Sequence, residues 1–219
     1  MTHPAQYSPT VLSGIEAQLG SLAWSSRPLV FDPFAGMGIR LGRLCDKFDV
    51  AFAGIDIEDW PGHDSRVRQG NAVDPSSYPT RPFVVITSPT YPNGVSDHFD
   101  RQDGTRGLTY RQGLGHELNG DNSGRYSIRG GNKALGLYWT IVTSAVQCWA
   151  ERNAPALVNV KDFPHNGEIY PLADLWQELM ERNGYNVAHR LVAQTKSWRY
   201  GSNREARQPY EEILVCRIT

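Results

Sequence analysis

A strand, a glycine turn, a helix and a second strand follow one another early in this chain. Leu29-Val30-Phe31-Asp32-Pro33-Phe34 reads as a short strand running into a turn, and Ala35-Gly36-Met37-Gly38 follows. Apolar residues then recur at Leu41, Leu44 and Phe48, before Ala51-Phe52-Ala53-Gly54-Ile55 closes on Asp56. Short β-branched or aromatic runs bounded by turn residues make buried strands, and recurrence every three to four residues marks one helix face. Two glycines between strand and helix let the backbone turn tightly and let a ligand come close to it. Such a unit demands strand–helix alternation from the rest of the chain.

That alternation continues. The spacing of Val11, Leu12, Ile15, Leu19 and Leu22 predicts a helix over 8–23, with Ser8-Pro9 as its start. Arg66-Val67-Arg68-Gln69-Gly70 reads as a weak third strand and Phe83-Val84-Val85-Ile86 as a buried fourth. Leu135, Tyr138, Ile141, Val142, Ala145, Val146 and Trp149 trace an amphipathic helix, followed by a strand over 156–160. Leu172, Leu175, Trp176 and Leu179 form another helix ended by Gly184. Runs at 186–191 and 212–216, joined by the polar segment 195–210, are expected to pair as an antiparallel edge. The expectation is an α/β fold: a mostly parallel seven-stranded sheet with helices on both faces.

At 219 residues, one domain spanning 1–219 is expected, with a substrate-facing insert at about 95–133. That insert is rich in Gly, Asp, Asn and Arg and lacks apolar periodicity, and loops so long inside a compact domain are usually functional or disordered. The formal charge of −1 excludes a generally cationic coat for nucleic acid but leaves local basic patches open. Cys45, Cys148 and Cys216 are widely spaced, without C-x-x-C or Cys/His ligand spacing, and His63, His98, His116, His165 and His189 form no evident constellation. A reduced, metal-free protein of the cytoplasm is the expectation. Met1-Thr2-His3-Pro4-Ala5-Gln6 has no basic segment leading into an apolar core, and no apolar run approaches membrane-spanning length. Neither secretion by a signal peptide nor membrane insertion is expected.

The fourth strand ends in Thr87-Ser88-Pro89-Thr90-Tyr91-Pro92-Asn93-Gly94, a polar, proline-fixed turn carrying an aromatic. Ligands of open α/β sheets sit beyond the carboxyl ends of the strands, where this turn falls. The glycine loop after the first strand is not a P-loop, since no Gly-Lys-Ser/Thr follows, and Leu41 stands where G-x-G-x-x-G needs its last small residue. Asp56, 24 residues after Asp32, stands where a ribose-binding carboxylate belongs in nucleotide-binding sheets. Taken singly, the glycines could merely form a turn and Asp56 merely a cap.

Together these segments resemble the S-adenosylmethionine-dependent amino-methyltransferases of DNA, and the likeness covers most of the chain. Asp32-Pro33-Phe34-Ala35-Gly36-Met37-Gly38 is similar to their motif around the methionine half of the cofactor. Gly54-Ile55-Asp56, with Ile57, is similar to the segment holding the ribose, and Gly70-Asn71-Ala72 to the motif near adenine, where the family more often has aspartate than Asn71. His3-Pro4-Ala5-Gln6-Tyr7 resembles the segment packing over the methionine moiety. Ser88-Pro89-Thr90-Tyr91 resembles the catalytic motif of Asp, Asn or Ser, two prolines and an aromatic, in the serine form associated with N4-cytosine enzymes; Thr90 replaces the second proline. Tyr210 to Arg217 is similar to the family's last strand, and the motif order is that of its gamma-type arrangement. Thr109-Tyr110-Arg111 and Asn122-Ser123-Gly124 also resemble short phage and actinobacterial DNA methylases.

The resemblance implies a Rossmann-like class I methyltransferase fold, S-adenosylmethionine as cofactor, DNA as partner, and methyl transfer to an exocyclic base amine, cytosine N4 ahead of adenine N6. It implies cofactor contacts from His3, Pro4, Tyr7, Asp32, Phe34, Ala35, Gly36, Gly38, Asp56, Ile57, Asn71 and Ala72, and catalysis by Ser88, Pro89 and Tyr91. Such an amine is a weak nucleophile because its lone pair is delocalised into the ring. Acceptors at Ser88 and at the Pro89 carbonyl would hold its N–H groups out of plane, and Tyr91 would stack on an extruded base. Carbon-5 methylation would need a nucleophilic cysteine, typically after proline, and the three cysteines follow Leu44, Gln147 and Val215 inside expected elements. The insert carries six basic residues against five acidic, with tyrosines interleaved. Arg101, Arg106, Tyr110, Arg111 and Arg125, with Lys196, Arg199 and Arg204 of the second polar loop, are candidate nucleic-acid contacts, though both loops could be merely solvated. Lys161-Asp162-Phe163-Pro164 is a possible pocket wall. An RNA base-amine methyltransferase, or a catalytically idle cofactor-fold protein that binds nucleic acid, fits the same motifs.

Overall fold

A computed structural model describes residues 7–21, 28–93, 114–195 and 209–219. Its strands are β1 Leu29–Asp32, β2 Phe52–Asp56, β3 Val67–Gln69, β4 Phe83–Thr87, β5 Ala156–Val160, β6 Phe163–His165, β7 Glu168–Tyr170, β8 Tyr185–Gln194 and β9 Tyr210–Ile218. Its helices are α1 Pro9–Ser21, α2 Ile39–Lys47, α3 Gly131–Ala150 and α4 Leu172–Arg182.

Every residue of β1, β4 and β5 is buried, as strands covered on both faces must be. Seven strands join in the order β3-β2-β1-β4-β5-β9-β8. Alternation along each strand divides the core in two. Leu29, Phe31, Phe83, Val85 and Val158 meet Tyr138, Val142, Val146 and Trp149 of α3 and Leu172, Trp176 and Met180 of α4. Val30, Val84, Ile86 and Leu157 point the other way, toward Val11, Ile15 and Leu19 of α1 and Leu41 and Leu44 of α2. β1 to β5 run parallel, so Asp32, Asp56, Thr87 and Val160 all finish at one edge.

The expected antiparallel edge is present: β8 is the outer strand and pairs antiparallel with β9. The strand that reverses is β9, one in from the edge, between β5 and β8. β1 stops at Asp32 rather than reaching Phe34, because Pro33 and Phe34 turn away. α3 starts at Gly131, four residues before its apolar pattern, because its first turn is exposed and needs no apolar face. The β6–β7 hairpin lay outside the sequence expectation. Its turn is Asn166-Gly167, at φ 50° and 84°, the left-handed pair that a two-residue hairpin turn requires.

Candidate functional site

The carboxyl ends of β1, β2, β4 and β5 surround a cavity of about 310 Å³. That lies at the small end of the range typical of ligand sites. One wall is the loop after β1. Gly36 and Gly38 have φ of 53° and 64°, which side chains disfavour, and a Cβ on Gly38 would overlap Val67 and crowd Phe52. In β2, a Cβ on Gly54 would stand 2.7 Å from that of Ala35, so the glycine lets the loop lie on the strand.

Asp32 ties this wall together. It is 1% exposed; Oδ1 accepts from the Thr87 hydroxyl at 2.6 Å and from Phe34 N at 3.0 Å, and Oδ2 accepts from the Tyr7 hydroxyl at 3.2 Å. Burial pushes its carboxyl up to about 7 against the lowering effect of these donors, and burial with the facing Asp32 raises the Tyr7 hydroxyl well above its ordinary value. Tyr7 therefore stays a donor. Asp56, at the end of β2, accepts from Gly36 N at 2.8 Å on Oδ2 and from Glu58 N at 2.9 Å and the Trp60 indole at 3.2 Å on Oδ1. Burial raises it to about 6. Those bonds leave Asp56 acceptor capacity on the cavity side, where Ile57, Trp60, Asn71 and Ala72 also line the wall. An acceptor between glycine backbone and an apolar-aromatic slot fits a sugar diol with an attached base.

The opposite wall is the turn after β4, where Ser88, Pro89, Thr90 and Tyr91 all line the cavity. Asn159 of β5 donates its Nδ2 to Ser88 Oγ at 3.2 Å and to Glu211 Oε2 at 2.8 Å, and both partners line the cavity too. Thr90 pairs its hydroxyl with that of Ser123 at 2.6 Å. Glu58, 5% exposed, accepts from Asn119 N at 2.7 Å and Asn122 Nδ2 at 2.8 Å. Segment 119–123 is thus fastened to the loop after β2 on one side and to the turn after β4 on the other.

The structure brings Tyr7, Asp32, Phe34, Ala35, Gly36, Gly38, Asp56, Ile57, Asn71, Ala72, Ser88, Pro89 and Tyr91 to one cavity. His3, Pro4, Arg101, Arg106, Tyr110, Arg111, Lys196, Arg199 and Arg204 lie outside the described residues. Arg125 is exposed and away from the cavity lining, its guanidinium 3.5 Å from the Leu118 carbonyl. Lys161, Asp162, Phe163 and Pro164 do not line the cavity either: Phe163 is buried in the core and stacks on Tyr170. Among the described residues there is no group of His, Cys, Asp and Glu able to hold a metal, and no helix long and apolar enough to cross a membrane. All three cysteines are buried. Sequence reasoning missed Glu58, Trp60, Asn159 and Glu211. Asn159 did leave a signal, as the one polar residue in an otherwise apolar buried strand.

No family model and no curated protein matches this sequence. Solved structures do. A candidate RNA methyltransferase from Pyrococcus horikoshii superposes with a TM-score of 0.51 at 12% identity, over 97% of this chain and 85% of that one. The fold is that of the Rossmann-like class I methyltransferases. A SAM-dependent methyltransferase from Archaeoglobus fulgidus superposes at 0.45 with 11% identity, over 94% of each chain.

Proposed function

We propose that this protein transfers a methyl group from S-adenosylmethionine to an exocyclic amino group of a base in DNA, cytosine N4 ahead of adenine N6. The observation that carries the proposal is that the Ser88-Pro89-Thr90-Tyr91 turn and the Gly36–Asp56 wall face one cavity, which lets donor and acceptor meet. S-adenosylmethionine, when bound, supplies a methyl group made electrophilic by its sulfonium. Asp56 would hold the ribose hydroxyls, and the glycine loop would take the methionine half. Ser88 Oγ and the Pro89 carbonyl would receive the amine's hydrogens, and Tyr91 would stack on the extruded base; base stacking contributes about 1–3 kcal/mol.

Described residues that flank the two candidate nucleic-acid segments lie at the cavity end of the sheet. The chain departs after Asn93, just beyond Tyr91, and again after Thr195, whose N–H bonds the Pro209 carbonyl at 2.6 Å two residues before Glu211. An RNA substrate is the second reading, prompted by the Pyrococcus horikoshii protein's own description.

Transfer of labelled methyl from the cofactor to DNA, RNA or neither separates the readings. Label in DNA supports the proposal, label in RNA alone replaces DNA by RNA, and tight cofactor binding without transfer to either refutes both.

A further inference from the structure

β5 buries all five of its residues, and Asn159 among them is 2% exposed, in a strand otherwise made of Ala and branched aliphatics. Its amide nitrogen makes two hydrogen bonds, to Ser88 Oγ at 3.2 Å and Glu211 Oε2 at 2.8 Å. Its Oδ1 is buried and has no partner among the described residues. A buried acceptor without a donor is costly, and native structures keep few of them. The three side chains come from β5, the turn after β4 and the start of β9, and all line the same cavity. This corner therefore sets a carboxylate and a hydroxyl, both held by one amide group, on the cavity wall. The carboxylate, which only accepts, suits a ligand group that carries hydrogens.

We infer that Glu211 is a catalytic residue, the acceptor of the proton that methyl transfer releases, held beside Ser88 by Asn159. The inference rests on the amine-methylation reading above. As the nitrogen lone pair closes on the methyl carbon, the carbon–sulfur pair withdraws to sulfur and the nitrogen gains a positive charge. The pair of one N–H bond then returns to nitrogen, its proton passes to a Glu211 carboxylate oxygen, and the resulting acid gives that proton to water. A serine hydroxyl is too weak a base for this step near neutral pH, whereas a carboxylate is a competent acceptor from a protonated aromatic amine. Asn159 acts as the positioning residue, since one amide group orients both Ser88 and Glu211.

The test compares Glu211→Gln and Glu211→Asp with the wild type. Gln keeps an oxygen for Asn159 Nδ2 but cannot take a proton, and Asp keeps the charge on a shorter stem. Folding is checked by thermal unfolding and cofactor affinity by calorimetry with S-adenosylhomocysteine; both are expected to stay close to wild type in E211Q. With labelled cofactor and genomic DNA, E211Q is expected to lose about 10²-fold in kcat with KM nearly unchanged, the usual range for removing a general base. E211D should recover at least a tenth of wild-type turnover. A second readout needs no turnover: deoxycytidine and deoxyuridine are titrated by NMR into protein loaded with S-adenosylhomocysteine. Wild type should prefer the amino nucleoside, and E211Q should bring the two within about twofold. E211Q turning over DNA like wild type overturns the role of Glu211 and leaves the methyltransferase reading standing, as does E211D being as inactive as E211Q. A wild type that transfers label to no nucleic acid overturns both.

Discussion

Cofactor affinity should depend on pH through Asp56. Its carboxylate accepts from Gly36 N, Glu58 N and the Trp60 indole, and burial raises it to about 6. Ribose hydroxyls held by Asp56 would donate to the ionised form, so the bound state would favour loss of the proton. In the free protein at pH 5, a group titrating near 6 is ionised in about one molecule in ten. Affinity at pH 5 should then be about tenfold weaker than at pH 8, or about 1.4 kcal/mol. Calorimetric titration of S-adenosylhomocysteine from pH 5 to 8 measures this, because the ligand's own amine and carboxyl titrate outside the window. In Asp56→Asn the slope should vanish and affinity at pH 8 should fall by at least about tenfold, since hydrogen bonds to a charged group contribute about 1.5–3 kcal/mol each. Asp32, raised to about 7, titrates in the same window, but its oxygens serve Thr87, Phe34 and Tyr7. Asp32→Asn should therefore leave the acid-side slope in place. A flat affinity from pH 5 to 8, or unchanged binding in Asp56→Asn, refutes a ribose-holding Asp56.

The same carboxyls set the pH dependence of the free protein. Both are raised in the folded state, so between about 4 and 7 the folded chain binds more protons than the unfolded one, and this contribution to stability declines as pH rises through 6 and 7. Tm of the ligand-free protein should fall over that window, less steeply in Asp32→Asn; an identical slope in the variant contradicts the assignment. Trp149 is fully buried and its indole donates to the Tyr78 hydroxyl at 3.0 Å. Trp149→Ala should cost about 3–5 kcal/mol in denaturant unfolding, and a loss below 1 would mean that α3 does not pack as described. Thr90→Val leaves the buried Ser123 hydroxyl without its partner. Amide exchange over 118–126 should accelerate with cofactor affinity unchanged, and unaltered exchange would show that the pair does not hold this segment.

Legibility in the sequence followed burial. β1, β4 and β5 are apolar throughout and their helices carry broad apolar faces, so sheet and layers could be read from periodicity. That Gly36, Gly38, Asp56, Ser88 and Tyr91 would line one cavity was legible because turn chemistry and motif spacing are local. Glu58, Asn159 and Glu211 matter through partners 61 or more, 71 and 52 residues away, and no local pattern encodes such pairings. The exposed first turn of α3 and the hairpin of β6 and β7 lacked apolar periodicity. The hairpin nonetheless had its Asn166-Gly167 turn in plain sight.

Thr90 changes meaning once the fold is known. From sequence it is a departure from a paired-proline motif. In the structure its hydroxyl joins the turn after β4 to Ser123. That segment is also held by Glu58, whose N–H bonds Asp56. A proline at this position could not make the hydroxyl pair.

Nucleoside mass spectrometry of DNA from cells expressing the protein, beside cells expressing Tyr91→Ala, tests the central claim most directly. The expected result is N4-methylcytosine, or failing that N6-methyladenine, above background with the wild type and strongly reduced with Tyr91→Ala. No methylated base in that DNA, or equal amounts with both proteins, would contradict it.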